Sequence, residues 1–288
     1  MTVSKFENTG DAAETPPVKV ALIDMYEGTP NLGMRNLRRI INQFKPEVQL
    51  EVFDVRSKIQ VPDLSHDIYI FSGGPGNPLV GDEAWLKPFH NLIDQLWNHN
   101  KQEGAARKFA FFICHSFQMA CHHFGIGSIT RRREKSFGIF PVYKTEEGKK
   151  EWLFAELPNP FWVGDFREFQ VVDPNFDRMA ELGIKLLCIE KERDRPELPR
   201  AMMAVRFSEE MVGTQFHPEA DPAGMRVYFF EEDRIKAVID EYGAEAYFKM
   251  VERLKDPDKL DRTYKLVLPL FLYRSIRELR KRAVVHNN

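Results

Sequence analysis

Apolar runs alternate with helical patterns along the first half of the chain. VKVALID (18–24), DIYIFSG (67–73) and KFAFFI (108–113) are short, mainly apolar segments. Such runs are typical of strands that are buried on both faces of a parallel sheet. Between them, residues 34–44 and 82–102 carry apolar side chains at the spacing of one helix face. We therefore predict a mostly parallel central sheet flanked by helices, as in α/β proteins.

The pattern changes in the second half of the chain. Several short apolar segments follow one another there without a long helix between them: 136–144, 161–166, 169–172, 185–190 and 201–207. This spacing predicts an antiparallel extension of the sheet. After Pro222 the pattern is helical. We expect a disordered tail over 1–17, one α/β domain over 18–222 and a helical C-terminal extension over 223–288.

Composition narrows the function classes. The chain has 288 residues and a net charge of −2, so no global field favours nucleic acid or an anionic membrane. The apolar stretch 266–273 is too short to span a bilayer, and the first residues do not resemble a secretory signal. Three cysteines give no disulfide framework and no zinc-ligand spacing. These features predict a cytoplasmic protein that has no metal or cofactor and contacts neither membrane nor nucleic acid.

One cysteine occupies an unusual position. Cys114 stands at the corner between the strand KFAFFI and the helical segment HSFQMACHHF. A helix N-terminus favours thiolate over thiol, and its free N–H groups can bind an oxyanion. A nucleophile in such an elbow is activated and lies beside its own anion site. The alternative is a small buried side chain, which is the commonest role of a free cysteine.

Two further segments carry residues suited to catalysis. His217 and Glu219 lie two apart after an apolar strand, so the carboxylate could orient the imidazole as a base toward a thiol. By itself this pair reads more simply as a solvated surface loop. The glycine-rich SGGPGNP (72–78) can aim backbone N–H groups into a cleft. It lacks the residues that a phosphate-binding loop needs.

Taken together, the three segments resemble the class I glutamine amidotransferases, whose site is a Cys-His-Glu triad. In that family a Gly-Gly-Pro loop is followed by an elbow resembling G-x-C-x-G-x-Q and later by Q-F-H-P-E. This chain has SGGPGNP at 72–78, FICHSFQ at 112–118 and TQFHPEA at 214–220. The segment RRREKSFG (131–138) also looks like the entry to the central hairpin of that family. The resemblance covers about residues 18–222.

The resemblance implies a role for each matching residue. Cys114 would attack the γ-carboxamide of glutamine, His217 would pass a proton to the leaving ammonia, and Glu219 would orient His217. The backbone N–H groups of Gly74 and His115 would form the oxyanion hole. The remaining match, Gln118, would help to bind the substrate.

The chain departs from the family pattern at three places. Phe112 and Ser116 replace the two elbow glycines, and we expect the Phe112 ring to pack under the sheet while the Cys114 sulfur stays open to the cleft. The segment VGDFREFQVV (163–172) replaces the one that usually holds the amino-acid end of glutamine. There, Asp165, Arg167 or Glu168 could take over that contact, and we favour Arg167.

The expected activity is hydrolysis of glutamine, or of another γ-glutamyl compound, through a Cys114 thioester. The 66 residues after Pro222 are too few for a synthetase domain, so a separate synthetase chain would accept the ammonia. The alternatives are a stand-alone γ-glutamyl hydrolase, an acyltransferase with the same triad and a non-catalytic binding protein. Residues 253–288 carry a local charge of +6 that reads as a solvated face, with partner docking as the alternative. The run RRR (131–133) reads as a solvated turn.

Overall fold

A computed structural model describes residues 16–79, 81, 83–192, 198–256 and 258–286. Most of the tail expected over 1–17 therefore lies outside the described residues. The described residues contain nine strands: β1 Val18–Asp24, β2 Val48–Asp54, β3 Ile68–Phe71, β4 Phe109–Ile113, β5 Ser128–Lys144, β6 Phe161–Val172, β7 Lys185–Glu190, β8 Met202–Arg206 and β9 Met211–Thr214. All nine belong to one sheet.

The same part of the chain contains ten α-helices. They are α1 Leu32–Asn42, α2 Val55–Lys58, α3 Leu86–Lys101, α4 His115–His123, α5 Glu146–Lys150, α6 Phe176–Leu182, α7 Pro222–Phe229, α8 Glu232–Tyr242, α9 Ala244–Lys255 and α10 Leu260–His286. Side-chain caps fix several helix starts: the Asn31 side chain accepts a hydrogen bond from the Met34 N–H, and Asp221 caps α7 in the same way.

The strand order confirms the predicted fold class. The sheet runs β2-β1-β3-β4-β9-β8-β7-β5-β6. The first five strands in this order pair in parallel, and the remaining pairs are antiparallel. Parallel strands that are covered on both faces must be apolar throughout, which is why β1 and β4 were recognisable as continuous apolar runs. The carboxyl ends of β3, β4 and β9 meet at one edge, where ligands bind in such sheets.

Two large apolar clusters cover the two faces of the sheet. One contains Val20 and Leu22 of β1 together with Val267, Leu268 and Phe271 of α10. The other faces α3 and α4. A third, smaller cluster joins the β5–β6 hairpin to helices α7–α9. The C-terminal helices thus pack both on the central sheet and on the hairpin.

The middle of the chain differs from the sequence-based expectation in two ways. Residues 161–172 form one unbroken strand rather than two, and β5 begins at Ser128. The run RRR at 131–133 is therefore in β5 and was wrongly read as a solvated turn. The reason is tertiary: Arg132 is largely buried because it pairs with Glu190 at 3.1 Å and donates to Gln170 at 2.6 Å.

Helix lengths and hydropathy also bear on membrane insertion. Within the described part of the chain, every helix is too short or too polar to cross a bilayer. The longest, α10, contains Pro269 and carries charged residues along its length. The three cysteines are free thiols, and all of them are buried.

Candidate active site

The strand-to-helix corner at Cys114 has the geometry of a nucleophile elbow. Cys114 follows β4 directly and is the N-cap residue of α4, with φ 49° and ψ −99°. A non-glycine residue at positive φ costs on the order of 1–3 kcal/mol, which surrounding contacts must offset. The side chain is nearly buried but lines a cleft at the carboxyl edge of the sheet. Its sulfur accepts from the Gln215 amide at 3.7 Å.

Ser116 stabilises this strained corner although the family has glycine there. Its hydroxyl accepts from the Ile113 N–H at 2.9 Å and lies 3.0 Å from the carbonyl oxygens of Phe71 and Ile113. These contacts tie the first turn of α4 to the ends of β3 and β4. The substitution therefore adds polar contacts in a fully buried place instead of merely filling space.

Phe112, the other substituted glycine, packs where we expected. Its ring lies in the cluster beneath the sheet, stacked on Phe71 at a centroid distance of 4.5 Å. Room is made by Gly213, its partner on β9, where a Cβ atom would come within 3.1 Å of the Phe112 Cβ. The prediction that small neighbours make space is confirmed, and Cys114 remains on the cleft wall.

His217 and Glu219 lie in the segment after β9, beside Cys114. The Glu219 carboxylate binds the Nδ1 atom of His217 at 2.7 Å, and both residues are buried. The backbone of His217 is fixed by its N–H, which donates to the Gly164 carbonyl of β6 at 2.9 Å. The Asn36 side chain holds the next part of the segment by donating to the Glu219 carbonyl oxygen at 3.1 Å.

The electrostatics of His217 favour its charged form. Burial alone would lower the pKa of His217, but the negative charges of Glu219 and of the Cys114 thiolate, with hydrogen bonds to both, outweigh it. The pKa of His217 is therefore raised well above its ordinary value. The arrangement can hold a thiolate and an imidazolium together, with Glu219 on the far side of the ring.

The glycine loop passes close to this pair. A Cβ atom on Gly73 would come within 2.9 Å of both His217 Cε1 and the Tyr26 hydroxyl, and one on Gly74 within 2.6 Å of the Met25 carbonyl oxygen. Only glycine permits such close approach of the backbone. Among the hydrogen bonds of the described residues, the N–H groups of Gly74 and His115 have no acceptor.

The cleft itself has a volume of about 440 Å³, and His217 and Glu219 form part of its wall. Besides those residues and Cys114, the wall includes polar groups from the β1–α1 region, namely Tyr26, Asn31 and Asn36. It also includes Phe166 of β6 and residues of α7 and α8, namely Met225, Tyr228, Phe229 and Arg234. The helices after Pro222 thus form part of the cleft.

Gln118 and Arg167 are close to Cys114 but do not line the cleft. Gln118 donates to the Phe169 carbonyl at 2.9 Å and to the Gln215 amide oxygen at 3.1 Å. Arg167 is buried and pairs with Asp165 at 2.7 Å. One of its nitrogens, Nη1, has no hydrogen-bond partner among the described residues. Its pKa is raised, because the charges of Asp165, Glu190 and Cys114 outweigh the opposing effect of burial.

His115 and Glu168 complete the set of residues singled out from the sequence. The His115 side chain is buried rather than placed at the cleft, and burial together with the Arg56 charge lowers its pKa to about 3. The Glu168 carboxylate pairs with Lys135 at 2.6 Å on the surface. It is therefore not beside Cys114.

Sequence reasoning missed several residues of this site. Tyr26 lies at the carboxyl end of β1, and burial, assisted by the charges of Glu219 and Cys114, raises the pKa of its hydroxyl well above the usual value. Its position at the end of a buried strand was the available signal. Gln215 stands next to the recognised F-H-P-E letters. The C-terminal wall residues had no sequence signal, because only tertiary packing brings them here.

Side chains that could ligate a metal are scattered over the part of the chain that the structure describes. In the described ranges, no three His, Cys, Asp or Glu side chains are grouped in a way that could hold a metal ion. His123, at the end of the elbow helix, instead binds Asp94 at 2.7 Å near the surface.

Comparison with known proteins agrees with this geometry. The family described as Glutamine amidotransferase class-I matches residues 22–237. A glutamine amidotransferase structure from Thermotoga maritima has a TM-score of 0.65 at 16% identity, covering 91% of this chain and 99% of that one. A protein from Thermoplasma acidophilum, described as part of a GMP synthase, has a TM-score of 0.52 at 17% identity, covering 92% and 99%.

A third similar structure is the glutaminase domain of CTPS from Trypanosoma brucei with bound acivicin. Its TM-score is 0.51 at 14% identity, covering 83% of this chain and 94% of that one. Comparison with curated protein sequences finds no significant match. The family match spans well over half of the residues. This chain belongs to the class I glutamine amidotransferase family.

Proposed function

We propose that the protein hydrolyses the amide bond of a γ-glutamyl compound through a thioester on Cys114, with glutamine as the reference substrate. One observation carries this proposal: the imidazole of His217 lies between the Cys114 sulfur and the Glu219 carboxylate, at the edge of an open cleft. A thiol, a base and a group that orients the base are the parts that covalent acyl transfer needs.

In this mechanism each residue has one task. The Cys114 thiolate attacks the γ-carbonyl carbon, and the N–H groups of Gly74 and His115 receive the negative charge on the carbonyl oxygen. His217 gives its proton to the leaving nitrogen as the C–N bond breaks. His217 then takes a proton from water, whose oxygen attacks the thioester and releases glutamate and the thiolate. Glu219 holds the imidazole in the orientation that both steps require.

We assign the amino-acid end of the substrate to Gln118 and Arg167. Support comes from the unpartnered Nη1 atom of Arg167 and from the effect of Cys114 on the charge state of that guanidinium. A buried donor without an acceptor costs free energy that a carboxylate ligand would recover. Replacing Arg167 with Lys should therefore raise KM for glutamine more than it lowers kcat.

When glutamine is the substrate, we expect the ammonia to pass to a separate synthetase chain. Two of the similar proteins are named after such assemblies, one after a GMP synthase and the other after CTPS. A cysteine nucleophile has to stay reduced, which agrees with the cytoplasmic location expected from the sequence.

The direct test is glutamate release from glutamine by the purified protein. We expect steady release by wild type and by Cys188→Ala, and none by Cys114→Ala. Equal rates for wild type and Cys114→Ala would refute the proposal. Absence of glutamate and of Cys114 labelling by a glutamine-like electrophile would favour the non-catalytic alternative.

A further inference from the structure

The cleft continues from His217 along an apolar wall that the C-terminal helices complete. The ring of Phe166 lies 6.0 Å from that of His217, and Phe229 of α7 stacks on Phe166 at 6.4 Å. Met225 lines the same cleft one turn earlier on α7. The imidazole is therefore followed directly by aromatic and thioether surface.

The position of this wall assigns it to the leaving group. In the proposed chemistry His217 protonates the nitrogen that departs, so that nitrogen and whatever it carries must lie over the imidazole. Glutamine releases only ammonia and would leave the wall uncovered. A volume of about 440 Å³ falls within the range of roughly 300–1,000 Å³ that is typical of sites for much larger ligands.

A cation stands at the far end of the wall. The guanidinium of Arg234, on α8, lies 4.6 Å above the ring of Tyr228, which itself packs against Phe229 at 5.0 Å. Arg234 is exposed and lines the cleft. Among the described residues, no carboxylate lies within ion-pair distance of it. A stacked guanidinium without an internal partner is suited to bind an anionic group of a ligand.

We propose that the preferred substrate is a γ-glutamyl amide whose amine part is an apolar amino acid or peptide. Its apolar side chain lies against Phe166 and Phe229, and its carboxylate pairs with Arg234. This inference rests on the proposed Cys114 chemistry and names the substrate of that same site. The bond from the γ-carbonyl carbon to nitrogen breaks, the nitrogen takes the His217 proton, and water completes the hydrolysis to glutamate.

Three substrates test this inference with the full chain: glutamine, γ-glutamyl-phenylalanine and γ-glutamyl-phenethylamide, which lacks only the carboxylate. For wild type we expect kcat/KM for γ-glutamyl-phenylalanine to exceed that for glutamine by about 10–200-fold, the range for filling an apolar pocket. The phenethylamide should fall about two- to fivefold below γ-glutamyl-phenylalanine, since an exposed ion pair contributes little.

The Arg234→Gln variant should bring the ratio between γ-glutamyl-phenylalanine and the phenethylamide close to one. Lys236→Gln, an exposed cation on the same helix that does not line the cleft, should keep the wild-type ratio. The inference is overturned if glutamine is the best of the three substrates, or if Arg234→Gln and Lys236→Gln give the same ratio. Hydrolysis of glutamine without a preference overturns only the inference, whereas no hydrolysis of any substrate also overturns the proposed function.

Discussion

The corner around Cys114 and the wall formed by the C-terminal helices are built in opposite ways. The corner uses three short segments, each of which carries its own geometry: the elbow, the glycine loop and the segment after β9. The wall has no such motif and exists only because α7 and α8 pack against the β5–β6 hairpin. The difference suggests that bond cleavage is encoded locally, whereas selection of the leaving group depends on distant parts of the chain.

The largest expected effect comes from removing the nucleophile. Cys114→Ala should lower kcat by about 10⁶-fold, because the members of a catalytic triad act as a unit. His217→Ala should do nearly the same. Glutamate release measures both, and Cys121→Ala is the control, since Cys121 is a buried thiol on the same helix. Peptide mapping should find Cys114 alkylated first. Equal labelling of Cys121 would mean that the corner does not activate its thiol.

A smaller effect is expected at the orienting carboxylate. Glu219→Gln should cost on the order of 10⁴-fold in kcat, less than loss of Cys114, because an amide can still hold the ring. Glu219 raises the pKa of His217, so the variant should lose that increase. His217 must be protonated to release the leaving nitrogen, so the alkaline limb of the pH–rate profile should move to lower pH. A limb that stays in place would separate Glu219 from the charge state of His217.

The glycine loop should show a more moderate effect. A Cβ atom on Gly74 would lie 2.6 Å from the Met25 carbonyl oxygen, so Gly74→Ala must shift the loop. Displacing one oxyanion donor costs about 10²–10³-fold in kcat. Gly81→Ala is the matched control, because a Cβ there meets nothing within 4 Å. If the two variants have the same activity, Gly74 does not supply an oxyanion donor.

The smallest effect concerns the stability of the corner. Ser116→Ala removes a buried hydroxyl that contacts the backbone of Phe71 and Ile113. We expect the free energy of unfolding to fall by about 1–3 kcal/mol, as when buried polar groups lose their partner. Denaturant titration measures this change. Ser136→Ala, which removes a hydroxyl bound to Asp165 within the β5–β6 hairpin, provides the comparison. An unchanged midpoint for Ser116→Ala would show that the strain at Cys114 is offset elsewhere.

The same division between local and distant structure explains what the sequence could predict. Strands β1 and β4 and the elbow were recognisable because continuous apolar runs and a cysteine at a strand end are local signals. Arg132 was misread because a run of three arginines looks solvated until Glu190 on a distant strand is known to pair with it. Arg234 and Phe229 carried no signal at all, since only packing of the last helices brings them to the cleft.

The packing of α10 has a consequence for how this segment can change in evolution. Five of its apolar residues, Val267, Leu268, Phe271, Leu272 and Ile276, are buried in the same cluster as the central strands. Burying such side chains contributes about 1.5–3 kcal/mol each, so together they amount to about 8–15 kcal/mol. That equals the whole net stability of a typical domain, about 5–15 kcal/mol. The last helix therefore cannot be gained or lost as an independent module, and a lineage that shed it would have to rebuild one face of the sheet.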